Sequence, residues 1–129
     1  IYIDTPPALN FYTRCALIAA QGCLIPFDCD DFSRQALYTL INNVAEIKAD
    51  HNPGLEIEGI VVNQFQPRAT LPVQLVAELK EEGLPMMDTC LPSSVIMKES
   101  HQRSLPLVYM APQHKLTEQY VALFGELEA

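Results

Sequence analysis

The chain has 129 residues, a length that fits one domain, and its 49% hydrophobic and 19% charged residues suffice for a packed core. A formal net charge of −8 excludes a broadly basic, nucleic-acid-coating surface. Arg14, Gln21 and Asp28 interrupt the longest apolar stretches, so no helical membrane span is expected, and no signal-peptide pattern is visible.

Taken in order, Ile1-Tyr2-Ile3 is apolar and β-prone, ends at Asp4, and is broken by Thr5-Pro6-Pro7. Because the chain opens on Ile1 inside a strand pattern, it reads as a piece of a longer protein. Ala8 to Ala20 is predicted as a helix with Phe11, Cys15 and Ile18 on one face, closed by Gly22. Cys23 to Phe27 is a strand candidate whose Pro26 suits a strand end. Asp30 or Asp31 can cap the next helix, where Phe32, Ala36, Leu37, Leu40, Ile41, Val44 and Ile47 form a sheet-facing stripe before the turn Asn52-Pro53-Gly54. Ile57 to Phe65 contains Ile60-Val61-Val62, a run suited to a strand buried on both faces. Thr70 can cap a helix from Leu71 to about Glu82, ended by Gly83, with Glu81 and Glu82 as a solvated helix end. Met86 to Leu91 reads as a weaker strand, Pro92 to Arg103 as irregular, Leu105 to Met110 as a last strand and Leu116 to about Glu128 as a last helix.

Alternating strands and helices predict an α/β layered parallel sheet with right-handed crossovers. Ligands bind such sheets beyond the carboxyl ends of the strands, where Asp4, Asn63 and Pro92 converge. A carboxylate at Asp4 can hold a hydrated magnesium ion, or cap the following turn. Asn63 and Pro92 can be binding groups or simple strand-ending residues. Cys15, Cys23, Cys29 and Cys90 have no C-x-x-C spacing and no cluster with His51, His101 or His114, so they read as buried free thiols of a reducing, cytoplasmic compartment.

The segment Ile1-Tyr2-Ile3-Asp4-Thr5-Pro6-Pro7-Ala8-Leu9 resembles the Walker B and switch segment of the ParA/MinD (Soj-like) deviant Walker P-loop ATPases, which runs apolar residues into D-x-P-P. The similarity continues through Leu24-Ile25-Pro26 and Asp31-Phe32, Leu55 to Asn63, Leu91-Pro92-Ser93-Ser94-Val95 with Glu99-Ser100, and Pro106-Leu107-Val108 with Ala111-Pro112. It implies a P-loop NTPase-like fold truncated at its N-terminal side, with residues 1–129 the C-terminal part of a single ParA-type ATPase domain. It further implies ATP and Mg2+ as cofactors, a homodimer, a ParB-like or cargo activator protein as partner, and a role in plasmid or chromosome partition or cargo positioning. Asp4 would hold the magnesium shell or attacking water. Thr5, Pro6 and Pro7 would form the switch. Asn63 would meet the adenine edge, with Pro92, Ser93, Ser94 and Val95 around the base.

The chain departs from that pattern in two places. It holds no G-x-x-x-x-G-K-[ST] loop: Gly54 and Gly59 have the right separation, but Ile60 stands where lysine is required. These residues alone are therefore expected not to hydrolyse ATP. Arg68 matches one arginine position of DNA-binding members, whereas Ile96 occupies the second, with Lys98 nearby. DNA contact is thus only partly supported. The alternatives are an ATP-dependent ligase of the cobyrinic acid a,c-diamide synthase/dethiobiotin synthetase-like group, and a non-catalytic interaction or dimerisation module.

Overall fold

A computed structural model describes residues 1–6, 8–29 and 31–129, with the side chains of Asp31 and Phe32 outside the description. The element order is α1 (Phe11–Ala19), β1 (Gly22–Asp28), α2 (Asp31–Asp50), β2 (Glu56–Asn63), α3 (Thr70–Glu81), α4 (Val95–Arg103), α5 (Leu107–Met110) and α6 (Lys115–Glu128). β1 and β2 pair in parallel, from Gly22 opposite Glu56 to Asp28 opposite Asn63, with an irregularity at Cys23/Leu24 that leaves Glu58 unmatched.

Burial follows from the strand period. Ile25, Phe27, Ile60 and Val62 line one face of the sheet and pack on Leu37 of α2 and Leu75, Val76 and Leu79 of α3. Val61 points the other way, into a cluster with Met87, Leu91 and Leu123 of α6. The expected double burial of Ile60-Val61-Val62 is therefore present. A third cluster joins Leu17 of α1 to Val44 and Ile47 of α2 and to Leu55. The stripe read on α2 faces the core at Leu37, Val44 and Ile47.

The structure departs from the sequence reading in several places. Ile1 to Ile3 forms no strand; it is exposed, and among the described residues no backbone group pairs with it. β geometry is stabilised by a neighbour's ladder rather than by local propensity. The Phe11, Cys15 and Ile18 face of α1 is turned outward, with Phe11 72% exposed, because Thr13 and Leu17 are the residues that reach the core. Cys15 is accordingly exposed rather than buried. Gly22 opens β1 instead of closing α1, which ends at Ala19 with Ala20 as its C-cap. Pro26 lies inside β1, not at its end.

Thr70 is the first residue of α3, and Ala69 holds the cap position without a side-chain bond. At the other end Gly83, at φ 84°, donates to the Lys80 carbonyl while Leu84 donates to Leu79, a left-handed glycine stop as predicted. Met86 to Leu91 is reduced to two isolated parallel bridges, Ile60 with Met86 and Phe65 with Pro92. Residues 95–103, read as irregular, form α4, stopped by Ser104 at φ 50°. Leu105 to Met110, read as a strand, turns into α5: the Pro106 carbonyl accepts from the Tyr109 and Met110 N–H groups, so the segment satisfies itself locally.

Two polar devices hold the helices. Asn52 donates its side-chain amide to the carbonyls of Leu17 (3.0 Å) and Ala20 (2.7 Å), which α1 leaves unpaired at its end. Replacing Asn52 by Ala is expected to lower the unfolding free energy by roughly 1–2 kcal/mol, read by urea denaturation.

Arg34 of α2 forks to Glu78 and Glu82 near the end of α3, 2.7 Å each, and its Nε donates to the Tyr38 hydroxyl, which itself donates to Glu82. Glu82 is thus an ion-pair member rather than a merely solvated helix end. Arg34, then Gln74, hold the Glu78 carboxyl below the usual range; Tyr38, then Arg34, do so for Glu82. Carboxylates lowered in the folded state stabilise fully above the ordinary glutamate range, and that gain is lost as pH falls through the lowered values. The groups are partly exposed, so the effect is modest. Arg34→Ala should therefore cost most at pH 7, and its difference from the parent chain should shrink toward pH 3 in thermal unfolding. A pH-independent difference would contradict the assignment.

Candidate functional site

The carboxyl ends of β1 and β2 bring Asp28 and Asn63 side by side in register. Beyond Asn63 the chain turns through Gln64 at φ 52°, and the Phe65 N–H donates to the Leu91 carbonyl (3.0 Å). Leu91 in turn donates to the Val62 carbonyl (2.8 Å). These bonds set Pro92 against Phe65 and bring the segment Pro92, Ser93, Ser94, Val95 to the end of the strand that carries Asn63.

Asn63, Pro92 and Ser94 are half-buried, and Ser93 and Val95 are exposed. Ser94 occupies the N-cap position of α4 and makes no side-chain cap bond, so the amides of the first turn remain available. Arg68, on the turn closed by the Ala69 N–H to the Gln66 carbonyl, and Lys98 of α4 are exposed cations, and neither takes part in a salt bridge among the described residues.

Glu126 of α6 holds this segment from behind. Its carboxylate accepts from the backbone N–H groups of Asp88 and Thr89. Burial alone would raise the Glu126 carboxyl, but these donors outweigh it and hold it below the usual range. Sequence reading assigned no role to Glu126. Its one signal is the alternation with Leu123 and Leu127, which puts it on the packed side of α6.

The other predicted group is arranged differently. Asp4, Thr5 and Pro6 are exposed, and Pro7 lies outside the described residues. Thr5 lines an open groove with Ile1, Tyr2 and Ile3 along Gly22 to Leu24, the amino-terminal half of β1. Asn63 is matched with Asp28 at the opposite end of that strand. No hydrogen bond or ion pair joins Asp4 or Thr5 to Asn63 or to Pro92 and its neighbours among the described residues. Asp4 does not cap a strand, because its strand is not formed. Among the described residues no three His, Cys, Asp or Glu side chains form a metal-holding group, and no disulfide joins the cysteines.

Known proteins resemble this chain in both sequence and fold. Residues 1–57 match the family described as an AAA domain. An uncharacterised protein of Pseudomonas putida is 35% identical over 98% of the chain and 49% of its own length. The chromosome partitioning protein ParA of Myxococcus xanthus is 32% identical over 98% of the chain and 45% of its own length. The sporulation initiation inhibitor protein Soj of Bacillus subtilis is 29% identical over 100% of the chain and 51% of its own length. The chain thus spans about half the length of the curated relatives it matches. Among solved structures, the cobyrinic acid a,c-diamide synthase of Mycobacterium smegmatis with bound ADP and magnesium aligns at a TM-score of 0.64. It does so with 18% identity, over 85% of this chain and 47% of that one.

The parallel sheet, with helices packed on both faces, is an α/β fold of the P-loop NTPase type. Over nearly its whole length the chain is similar to about half of these ParA and Soj proteins.

Removing the Glu126 carboxylate tests how the 92–95 segment is positioned. In Glu126→Ala, amide exchange at Asp88 and Thr89 should speed up roughly tenfold, while the buried amides of β2 stay protected.

Proposed function

We propose that this chain supplies the base-binding side of an ATP site in a ParA-type switch protein, acting in plasmid or chromosome partition or in cargo positioning. What supports this reading most is the union of Asn63 with Pro92, Ser93, Ser94 and Val95 at the carboxyl end of β2, held by the Phe65–Leu91 and Leu91–Val62 hydrogen bonds. A side-chain amide offers a donor and an acceptor in one plane, which matches the paired donor and acceptor of an adenine edge. The Pro92 ring gives an apolar surface beside it, and the open amides at the start of α4 can donate to ring nitrogens.

The residues fit the parts of the ligand unequally. Asn63 and the 92–95 segment suit the base. Asp4 is a single exposed carboxylate, compatible with a magnesium ion that keeps most of its water. The phosphates find no G-x-x-x-x-G-K-[ST] loop in these residues. When bound, magnesium neutralises charge on the phosphates. In this reading Asp4 orients the water around that ion or the attacking water, and Thr5, Pro6 and Pro7 respond to the state of the terminal phosphate. Arg68 and Lys98 flank the base side and serve as contacts for nonspecific DNA. A homodimer and a ParB-like or cargo activator complete the switch, in the cytoplasm. The likeness to the cobyrinic acid a,c-diamide synthase is one of fold, and the sequence relatives favour the ParA-type reading over a ligase.

Calorimetry with Mg–ATP tests the proposal, on the 129 residues and on the longest natural polypeptide that contains them. Asn63→Ala should weaken binding by the longer form roughly tenfold or more, as expected for one to two lost hydrogen bonds. Asp4→Ala should leave binding largely in place and abolish hydrolysis. Undiminished binding by Asn63→Ala would overturn the assignment of the base site.

A further inference from the structure

The segment that carries Pro92 to the end of β2 is tied to that strand at its two ends. Met87 donates to the Ile60 carbonyl (2.9 Å), and Leu91 donates to the Val62 carbonyl (2.8 Å). Between them, no backbone–backbone bond holds Asp88, Thr89 or Cys90 among the described residues. A side chain of α6 takes the place of such bonds. Oε1 of Glu126 accepts from the Asp88 N–H and Oε2 from the Thr89 N–H, and the Thr89 side chain bonds the same carboxylate. Lys80 of α3, 3.7 Å from the Asp88 carboxylate, adds a nearby positive charge that favours the ionised form of Glu126.

The helix aims this carboxylate. Leu123 is buried against Val61, Met87 and Leu91, and Tyr120 and Leu127 pack on the same cluster. Glu126 stands one helical turn beyond Leu123, on the border of that packed face. The apolar cluster holds Met87 and Leu91 without the acid, so Glu126 contributes to placement more than to folding. Thr89 lies two residues before Leu91, where the base side of the site is set. The Leu91 N–H is tied to Val62, its carbonyl receives the Phe65 N–H, and Pro92 follows.

We infer that Glu126 is a positioning residue for nucleotide recognition: by fixing Asp88 and Thr89 it sets the placement of residues 92–95, and through them the preference for adenine over guanine. This role rests on the base site proposed above. Asn63 can turn its amide over and offer donor and acceptor in either order, so it tells the two bases apart poorly. The backbone N–H groups at the start of α4 cannot be reversed. They meet the ring acceptor of adenine, whereas guanine presents an N–H at that position and leaves donor facing donor. Discrimination therefore falls to the segment that Glu126 holds.

Calorimetry with Mg–ATP and Mg–GTP tests this, on the longest natural polypeptide that contains these residues and on its Glu126→Ala and Glu126→Gln variants. Glutamine keeps the size and helix preference of glutamate, but it has one acceptor oxygen and turns an NH2 group toward the second amide. Both variants should lose ATP affinity roughly tenfold and GTP affinity little, so the ATP-over-GTP ratio shrinks by about the same factor. Glu118→Gln, which removes an exposed charge from the first turn of α6, should keep the parent ratio. A general loss of folded protein lowers binding of both nucleotides alike and leaves the ratio unmoved. An unchanged ratio in both Glu126 variants therefore overturns the inference, as does an equal shift in Glu118→Gln or a parent that binds the two nucleotides equally. If Asn63→Ala weakens ATP binding while the Glu126 variants keep the parent ratio, only the role of Glu126 falls. If Asn63→Ala binds ATP as the parent does, the base site falls and this role with it.

Discussion

Everything in this molecule depends on burying β2 from both sides. Ile60, Val61 and Val62 are consecutive, so their side chains alternate between faces, and each is nearly inaccessible to solvent. One helix layer cannot achieve that. α2 and α3 cover Ile60 and Val62, while α6 with Met87 and Leu91 covers Val61. Gly59 belongs to the same constraint: a Cβ there would fall 2.2 Å from the Met87 sulfur, so the side-chain-free position is what lets the second layer close on the sheet. Once Met87 and Leu91 are docked, their N–H groups find the Ile60 and Val62 carbonyls, and Pro92 is carried to the end of β2. The cluster of Asn63 with residues 92–95 is therefore a consequence of core packing rather than of a loop that happens to be nearby.

The two edges of the sheet differ for a related reason. The β2 edge is closed, although irregularly, because Asp88 and Thr89 have a competing acceptor in Glu126 and the chain can bow away from the ladder without stranding an amide. The β1 edge has no such neighbour among the described residues. Its buried residues Ile25 and Phe27 face α2 and α3, while Leu24 and Pro26 on the other face are exposed. A parallel strand half covered in this way is unusual, since parallel sheets are ordinarily covered on both faces.

Much of this architecture could be read from the residues. The run Ile60-Val61-Val62, the stripe through Leu37, Val44 and Ile47, and the glycine stop at Gly83 carry their own physical cause, and each stands where the pattern put it. The failures share a different cause. Ile1-Tyr2-Ile3 and Leu105 to Met110 have β-prone composition, but a strand exists only against a neighbour, which local sequence does not encode. Phe11 and Ile18 are apolar yet outward, because three-fold spacing identifies a stripe without saying which stripe meets the core. Asn52, Arg34 and Glu126 were invisible as structural anchors, since their partners lie 32 to 48 residues away in sequence. Of the candidate site, the strand-end rule pointed to Asp4, Asn63 and Pro92 alike; the structure brings Asn63 and Pro92 to one strand end, whereas Asp4 lies on a segment that forms no strand.

This difference between the two halves of the candidate site has a physical meaning. Asn63 and the 92–95 segment are fixed by bonds within the chain, so that half is already organised. Asp4 sits on a segment with no ladder, and the conformation of an unpaired extended segment is set by whatever it pairs with. The half of the candidate site that stands assembled is the half that core packing builds by itself.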